Sequence, residues 1–80
     1  MIDIVVQIYG NKELKVCLDS YRLDFAATPR VGDFIAKHVG IEGSSDCYVE
    51  RVVFIPKLNN SGDADVFLKC VQTEIDPNRL

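Results

Sequence analysis

The chain has 80 residues, of which 48% are hydrophobic and 26% charged, with a net charge of −3 and an isoelectric point near 4.9. This length gives one domain, residues 1–80, with a modest core, and the composition excludes a disordered or low-complexity chain. The negative charge would repel phosphate, which argues against nucleic acid as a partner.

The sequence predicts neither a signal peptide nor a membrane segment. Its apolar runs fall well short of the ~18–20 residues that cross a bilayer, and residues 1–4 carry no basic leader. The three cysteines, Cys17, Cys47 and Cys70, contain no CxxC pair and fit reduced thiols better than a disulfide framework. We therefore expect a cytoplasmic protein.

Alternating apolar residues predict strands in the first third of the chain. The period of two over residues 2–9 indicates a strand with Ile2, Ile4, Val6 and Ile8 on its inner face. Gly10-Asn11 predicts a tight turn into a second strand that ends near residue 18. The alternation continues over 21–27, where we expect a bend followed by a third short strand. A short helix that ends before Pro29 is the alternative.

The middle of the chain is punctuated by turn residues. Pro29 and Gly32 predict a well-defined turn over 28–33, with Asp33 bonding nearby backbone N–H groups. Residues 34–39 are predicted as a strand, with a short helix between Asp33 and Gly40 as the alternative. A polar loop then leads to residue 46.

Residues 46–56 form the densest run of β-branched and aromatic side chains, which predicts the central strand. Simple alternation does not separate its faces cleanly. Either both faces are covered, or a bulge at Glu50-Arg51 turns Val49, Val52 and Phe54 inward together.

After Pro56, residues 57–63 predict a solvated hairpin loop. The last strand places Val66, Leu68 and Cys70 inward, and residues 72–80 form a polar tail. Five to six short strands with short connections favour a mainly β fold, a small antiparallel SH3-like barrel with at most one short helix.

Three motifs resemble a known group of proteins. They are Pro29-x-x-Gly32-Asp33-x-Ile35, Tyr48-Val49-x-x-Val52-x-Phe54 and Val66-x-Leu68-x-Cys70. This pattern, over about residues 28–71, resembles small SH3-like barrel proteins of uncharacterised function from bacteria, phages and mobile integron cassettes. The resemblance implies the barrel fold and no catalytic residues.

The residues with catalytic or metal-binding chemistry are few. Cys47 with His38 as base could form a nucleophilic pair, and a zinc site would need Cys17, Cys47, Cys70 and His38 to converge, but no two of them lie at the short spacing of a zinc motif. The carboxylates of the central region look like turn or solvated residues: Asp24, Asp33, Glu42, Asp46 and Glu50. We therefore predict no enzyme, no cofactor and no metal.

Alternation also places several apolar residues on the faces that point outward, and such a patch marks an interface or is covered from within. These residues are Val5, Tyr9, Val53, Ile55, Phe67 and Val71. We expect a non-catalytic binding or accessory module that forms a homodimer through a sheet face or an edge strand. The alternative is an oligonucleotide or small-ligand binder that uses surface aromatics: Tyr9, Tyr21, Tyr48 and Phe67.

Overall fold

The computed structural model describes residues 1–56 and 62–73, which form five strands in one sheet. The strands are β1 (Ile2–Tyr9), β2 (Cys17–Phe25), β3 (Phe34–Ile35), β4 (Cys47–Phe54) and β5 (Val66–Gln72). Their order across the sheet is β2-β1-β5-β4-β3, and the sheet curls into a half-barrel. The predicted small β domain is confirmed, and the described residues contain no helix. Most of the predicted loop, at 57–61, and the tail beyond residue 73 lie outside the described residues.

The sheet is mixed rather than antiparallel. β1 pairs with β5 in parallel, from Ile4 opposite Val66 to Tyr9 opposite Val71, whereas the other neighbouring strands are antiparallel. The prediction of an all-antiparallel sheet is therefore wrong for the central pair. The parallel pair joins the first and last strands, whose inner faces are both continuously apolar, and burial of these faces in the middle of the sheet favours the pairing.

β2 begins later than predicted and runs as one strand from Cys17 to Phe25, with a register shift against β1 between Cys17 and Asp19. The expected strand before residue 17 is wrong, because residues 10–16 form a long connection, and the expected third strand is the continuation of β2. A two-residue turn at Gly10-Asn11 would have set Val6 opposite Lys15. The observed register sets Val6 opposite Tyr21 and Ile4 opposite Leu23, so apolar residues face each other.

The turn at 28–33 is confirmed. The Asp33 N–H donates to the Arg30 carbonyl at 3.0 Å, the Asp33 carboxylate accepts from the Arg30 N–H at 2.8 Å, and Gly32 has a φ of 93°. Because φ is positive there, glycine fits this position better than any residue with a side chain. The turn delivers the chain into β3, where Phe34 lies opposite Tyr48.

Residues 36–46 form a loop, so the predicted strand over 34–39 is correct only at its first two residues. Side chains bind the backbone here and compete with strand pairing. Asp46 accepts the Lys37 N–H at 2.8 Å, and the buried Ser44 hydroxyl donates to the His38 carbonyl at 2.8 Å. The loop packs against β2 at Gly43, where an added Cβ would lie 3.2 Å from the Ser20 carbonyl oxygen.

The bulge in β4 is confirmed. The register against β5 shifts between Val49 and Arg51, so that Val49, Val52 and Phe54 lie opposite Cys70, Leu68 and Val66 respectively. All six side chains therefore belong to the inner face of the half-barrel. Phe54 is nevertheless 69% exposed, because it lies at the open end of the strand.

The inner face carries the core. Its buried members are Ile4, Val6, Ile8, Cys47, Val49, Val66, Leu68 and Cys70. Tyr21 and Phe25 of β2 and Ile35 of β3 pack against them, so the sheet brings its two edges towards each other by curling. Phe25, Phe34 and Ile35 line a shallow cleft of about 500 Å³ between those edges. The opposite, outer face of the sheet and the outer edge of β2 lie outside this core.

Candidate functional site

The predicted interface residues lie on the outer face of the sheet. Val5 lies opposite Phe67, Tyr9 opposite Val71, and Val53 opposite Phe67 from the other side. Ile55 extends this row one step beyond β4, since its N–H donates to the Asp65 carbonyl at 3.0 Å. Pairing of the strands thus brings all six together on one face.

Most of this outer face is shielded by its own side chains. Tyr9 and Val71 are each 5% exposed, and the other four are half-buried. The Lys69 ammonium lies 5.2 Å from the centre of the Tyr9 ring and donates to the Tyr9 hydroxyl at 3.0 Å. It also donates to Gln7 Oε1 at 3.2 Å, so a polar cluster of Gln7, Tyr9 and Lys69 covers the middle of the face.

An ion pair marks the β2 side of the outer face. Arg22 Nε donates to Asp3 Oδ1 at 2.9 Å, and Arg22 Nη2 donates to both Asp3 Oδ2 and the Gly62 carbonyl. Asp24 lies directly opposite Asp3 on the neighbouring strand. This part of β2 therefore presents one arginine and one further carboxylate, Asp24, on an exposed strand.

Four large apolar side chains of the described strands are exposed, and Phe54 at the end of β4 is the most exposed of them at 69%. Leu18 and Leu23 of β2 are 53% and 36% exposed, and Phe34 of β3 is 49% exposed. β2 is the outermost strand on its side, and within the described residues no backbone hydrogen bond satisfies its outer edge over 21–25. An unpaired strand edge is a template for another strand. We call residues 21–25 of β2 the open edge.

Sequence reasoning missed the open edge. The alternation over 21–25 indicated a strand, but it could not tell an edge strand from a paired one, because edge position depends on which strands are neighbours. The exposed charges at Arg22 and Asp24 within an apolar alternation are the one local signal, since edge strands commonly carry such residues.

The aromatics proposed for ligand binding do not share one surface. Tyr9, Tyr48 and Phe67 lie on the outer face, whereas Tyr21 lies on the inner face opposite Val6. Burial, with smaller contributions from Cys47 and Cys70, raises the pKa of Tyr21 to about 12. A stacking platform needs ring faces that a base can reach, and the sheet separates Tyr21 from the other rings.

Two of the three thiols meet on the inner face. Cys47 and Cys70 are diagonal neighbours in the β4–β5 ladder, and both are fully buried. Hydrogen bonding between the two thiols, together with burial, raises the pKa of Cys70, while the same hydrogen bonding lowers the pKa of Cys47. Cys17 is exposed, at the start of β2, and its Sγ contacts the Asp19 carbonyl at 3.2 Å.

His38 lies in the exposed 36–46 loop. Its Nδ1 accepts the Gly40 N–H at 3.0 Å, and its own backbone bonds to Ser44. In the part of the chain that the structure describes, no three His, Cys, Asp or Glu side chains come close enough to hold a metal ion. The hydrogen bonds that the structure shows for His38 all lie within its own loop.

Three of the central carboxylates, Asp33, Glu42 and Asp46, lie in turns and loops, whereas Asp24 and Glu50 lie in strands. Asp33 accepts the Arg30 N–H and Asp46 accepts the Lys37 N–H, each at 2.8 Å. Asp24 and Glu42 are exposed, and Glu50 is at the bulge. The bonds of Asp33 and Asp46 agree with the local role expected for such residues.

No protein-family model, curated protein or solved structure matches this chain. Residues 1–56 and 62–73 include no helix with the length and apolarity to cross a membrane.

Proposed function

We propose that this protein is a small binding or accessory module without catalytic activity, which acts through protein contact and forms a homodimer. The observation that carries the proposal is the open edge, where unpaired backbone groups lie beside the exposed Leu23. Such an edge pairs readily with another strand. In a domain of this size, pairing with a second copy also adds stability that a single small core supplies only sparingly.

Two surfaces of the sheet are available for this contact: the outer face with its six predicted residues, and the open edge. A contact surface needs apolar area that water reaches before binding. Tyr9 and Val71 on the outer face are 5% exposed, whereas Leu23 at the edge is 36% exposed. Exposure therefore favours the open edge, with the outer-face residues nearest to it at the margin of the contact.

Light scattering on a sizing column tests the homodimer. A concentration series of the native chain should pass from the monomer mass of 9.0 kDa to twice that value in the micromolar range, because an edge contact buries less area than a tight complex. A monomeric mass at every concentration up to millimolar contradicts the proposal.

Two matched variants then separate the surfaces. Leu23→Asp and Phe67→Asp both replace an apolar residue by a carboxylate, one at the open edge and one on the outer face. The edge contact predicts that only Leu23→Asp shifts the dimer towards monomer, with circular dichroism confirming that both variants fold. The reverse result assigns the contact to the outer face.

The SH3-like resemblance also belongs to this proposal. It is supported by the turn at 28–33, which leads directly into β3, and by the inward side chains of β4 and β5, which supply much of the core. An experimental structure tests it: strands that superpose in order on those of an SH3-like barrel, with the open edge left for the second copy, support the assignment. Strands that superpose on a different small β fold contradict it.

A further inference from the structure

We infer that two copies of this chain join through their β2 strands, antiparallel and centred on Leu23, so that two half-barrels share one continuous sheet. This inference rests on the homodimer proposed above and names its interface. The open edge is solvent-exposed at Arg22, Leu23 and Asp24 and lacks backbone partners among the described residues. The partner is therefore a second strand, and the sequence of β2 indicates that this strand is β2 itself.

The open edge is complementary to its own reverse. With Leu23 opposite the partner's Leu23, Tyr21 lies opposite the partner's Phe25, and Arg22 lies opposite the partner's Asp24. Tyr21, Leu23 and Phe25 belong to the inner face, opposite Val6, Ile4 and Ile2 of β1, so the apolar pairs extend the existing core. Arg22 and Asp24 belong to the outer face, so the dimer gains two opposite-charge pairs at exposed positions.

The charges of Arg22 and Asp24 favour this register. Asp24 lies opposite Asp3 within the monomer, and like charges directly opposite one another are destabilising. Arg22 is bonded to Asp3 through Nε and Nη2. Pairing across the dimer gives Asp24 a cation directly opposite, from the partner's Arg22, while the bonds of each Arg22 to Asp3 can persist on its own outer face.

The other exposed edge of the sheet is less suited to pairing. β3 is two residues long, and the stretch of β4 beyond it begins at the bulge between Val49 and Arg51 and is followed by Pro56, which has no N–H. Short strands, bulges and proline are the features by which proteins prevent edge pairing. Residues 21–25 of β2 contain no proline, and the register shift in the ladder of β2 with β1 lies between Cys17 and Asp19, outside the open edge.

The 36–46 loop limits how many residues of β2 can pair with the second copy. Gly43 packs against β2 at Asp19 and Ser20, so the contact begins at Tyr21. Five residues of antiparallel strand span roughly 17 Å and exchange roughly four to six backbone hydrogen bonds. A twofold contact of this kind is closed, because the same edge is used by both copies and none is left to propagate.

Disulfide cross-linking tests the register directly. In a Cys17→Ser background, Leu23→Cys places two thiols directly opposite each other, whereas Asp24→Cys places them on diagonal positions about 7–8 Å apart, beyond the reach of a disulfide. With oxidised glutathione, Leu23→Cys should give a covalent dimer and Asp24→Cys should not. Equal cross-linking of both variants, or of Asp24→Cys alone, overturns the register.

A charge variant tests the same register in the native fold. Asp24→Lys sets a second cation directly against the partner's Arg22 in both pairs and should raise the dimer dissociation constant about tenfold. Glu13→Lys, with the same charge change at an exposed position in the 10–16 connection, outside residues 21–25, should leave it unchanged. Equal effects of the two substitutions contradict the inference.

Different results would contradict the homodimer and its β2 interface. If the native chain is dimeric by light scattering but Leu23→Cys does not cross-link, the β2 contact is wrong and the homodimer stands. If the native chain is monomeric at all concentrations, the homodimer itself is wrong.

Discussion

Replacement of Gly43 by alanine should loosen the 36–46 loop from β2. Gly43 has a φ of 85°, and a Cβ there would lie 3.2 Å from both the Ser20 carbonyl oxygen and Asp19 Oδ1. The left-handed conformation costs a residue with a side chain about 1–2 kcal/mol, partly offset by about 0.4–1 kcal/mol through the less flexible unfolded chain. Contact with the backbone oxygen adds a packing cost, so we expect a total loss of about 2–3 kcal/mol.

Gly32→Ala is the matched control. Gly32 also has a positive φ, 93°, but a Cβ there would meet nothing within 4 Å. It should therefore cost only the conformational part, about 1 kcal/mol. Urea unfolding of both variants measures the difference. Equal losses would refute the packing of the loop on β2, and with it the argument that the open edge begins at Tyr21.

Three further predictions concern the inner face. Leu68→Ala should lower the free energy of unfolding by about 2–5 kcal/mol in urea titrations, because Leu68 is fully buried, and a loss below about 1 kcal/mol would contradict the core. Because the pKa of Tyr21 is raised from 10.0 to about 12, its contribution to stability should be complete below pH 10 and lost as the pH rises towards 12. Alkaline unfolding of the native chain and of Tyr21→Phe, together with phenolate absorbance, measures this loss of stability. Identical pH dependence of the two proteins would contradict the raised pKa. A maleimide should label Cys17 rapidly and Cys47 and Cys70 only on unfolding, and rapid native labelling of a second thiol would contradict their burial.

Much of the core could be predicted from local pattern. The period of two in β1 and β5 identified Ile4, Val6, Ile8, Leu68 and Cys70 as inward residues, and all are buried. Such patterns succeed because one face of each strand meets the core along its whole length. The mixed alternation of β4 left two alternatives, two covered faces or a bulge, and the register against β5 shows the bulge.

The errors arose where the outcome depended on distant partners. Leu14 and Val16 alternate as well as Tyr21 and Leu23 do, and only the match to the inner face of β1 selects the later pair. The parallel β1–β5 pair joins strands from opposite ends of the chain, and no local spacing encodes it.

The candidate site was predicted in part for the same reason. The outward row of apolar residues followed from alternation within each strand, and the strands bring that row onto one face. The open edge and the Cys47–Cys70 contact depend on strand order and register, which the sequence pattern does not contain.

Hydrogen exchange of the β2 amides at low and high protein concentration tests the central claim most directly, because it needs no substitution. Pairing of two β2 strands predicts that the outward-pointing amide protons of residues 21–25 exchange more slowly as concentration rises, while those of β4 beyond the bulge keep their rates. Exchange at 21–25 that is independent of concentration, in a sample whose mass doubles over the same range, would contradict the β2 interface.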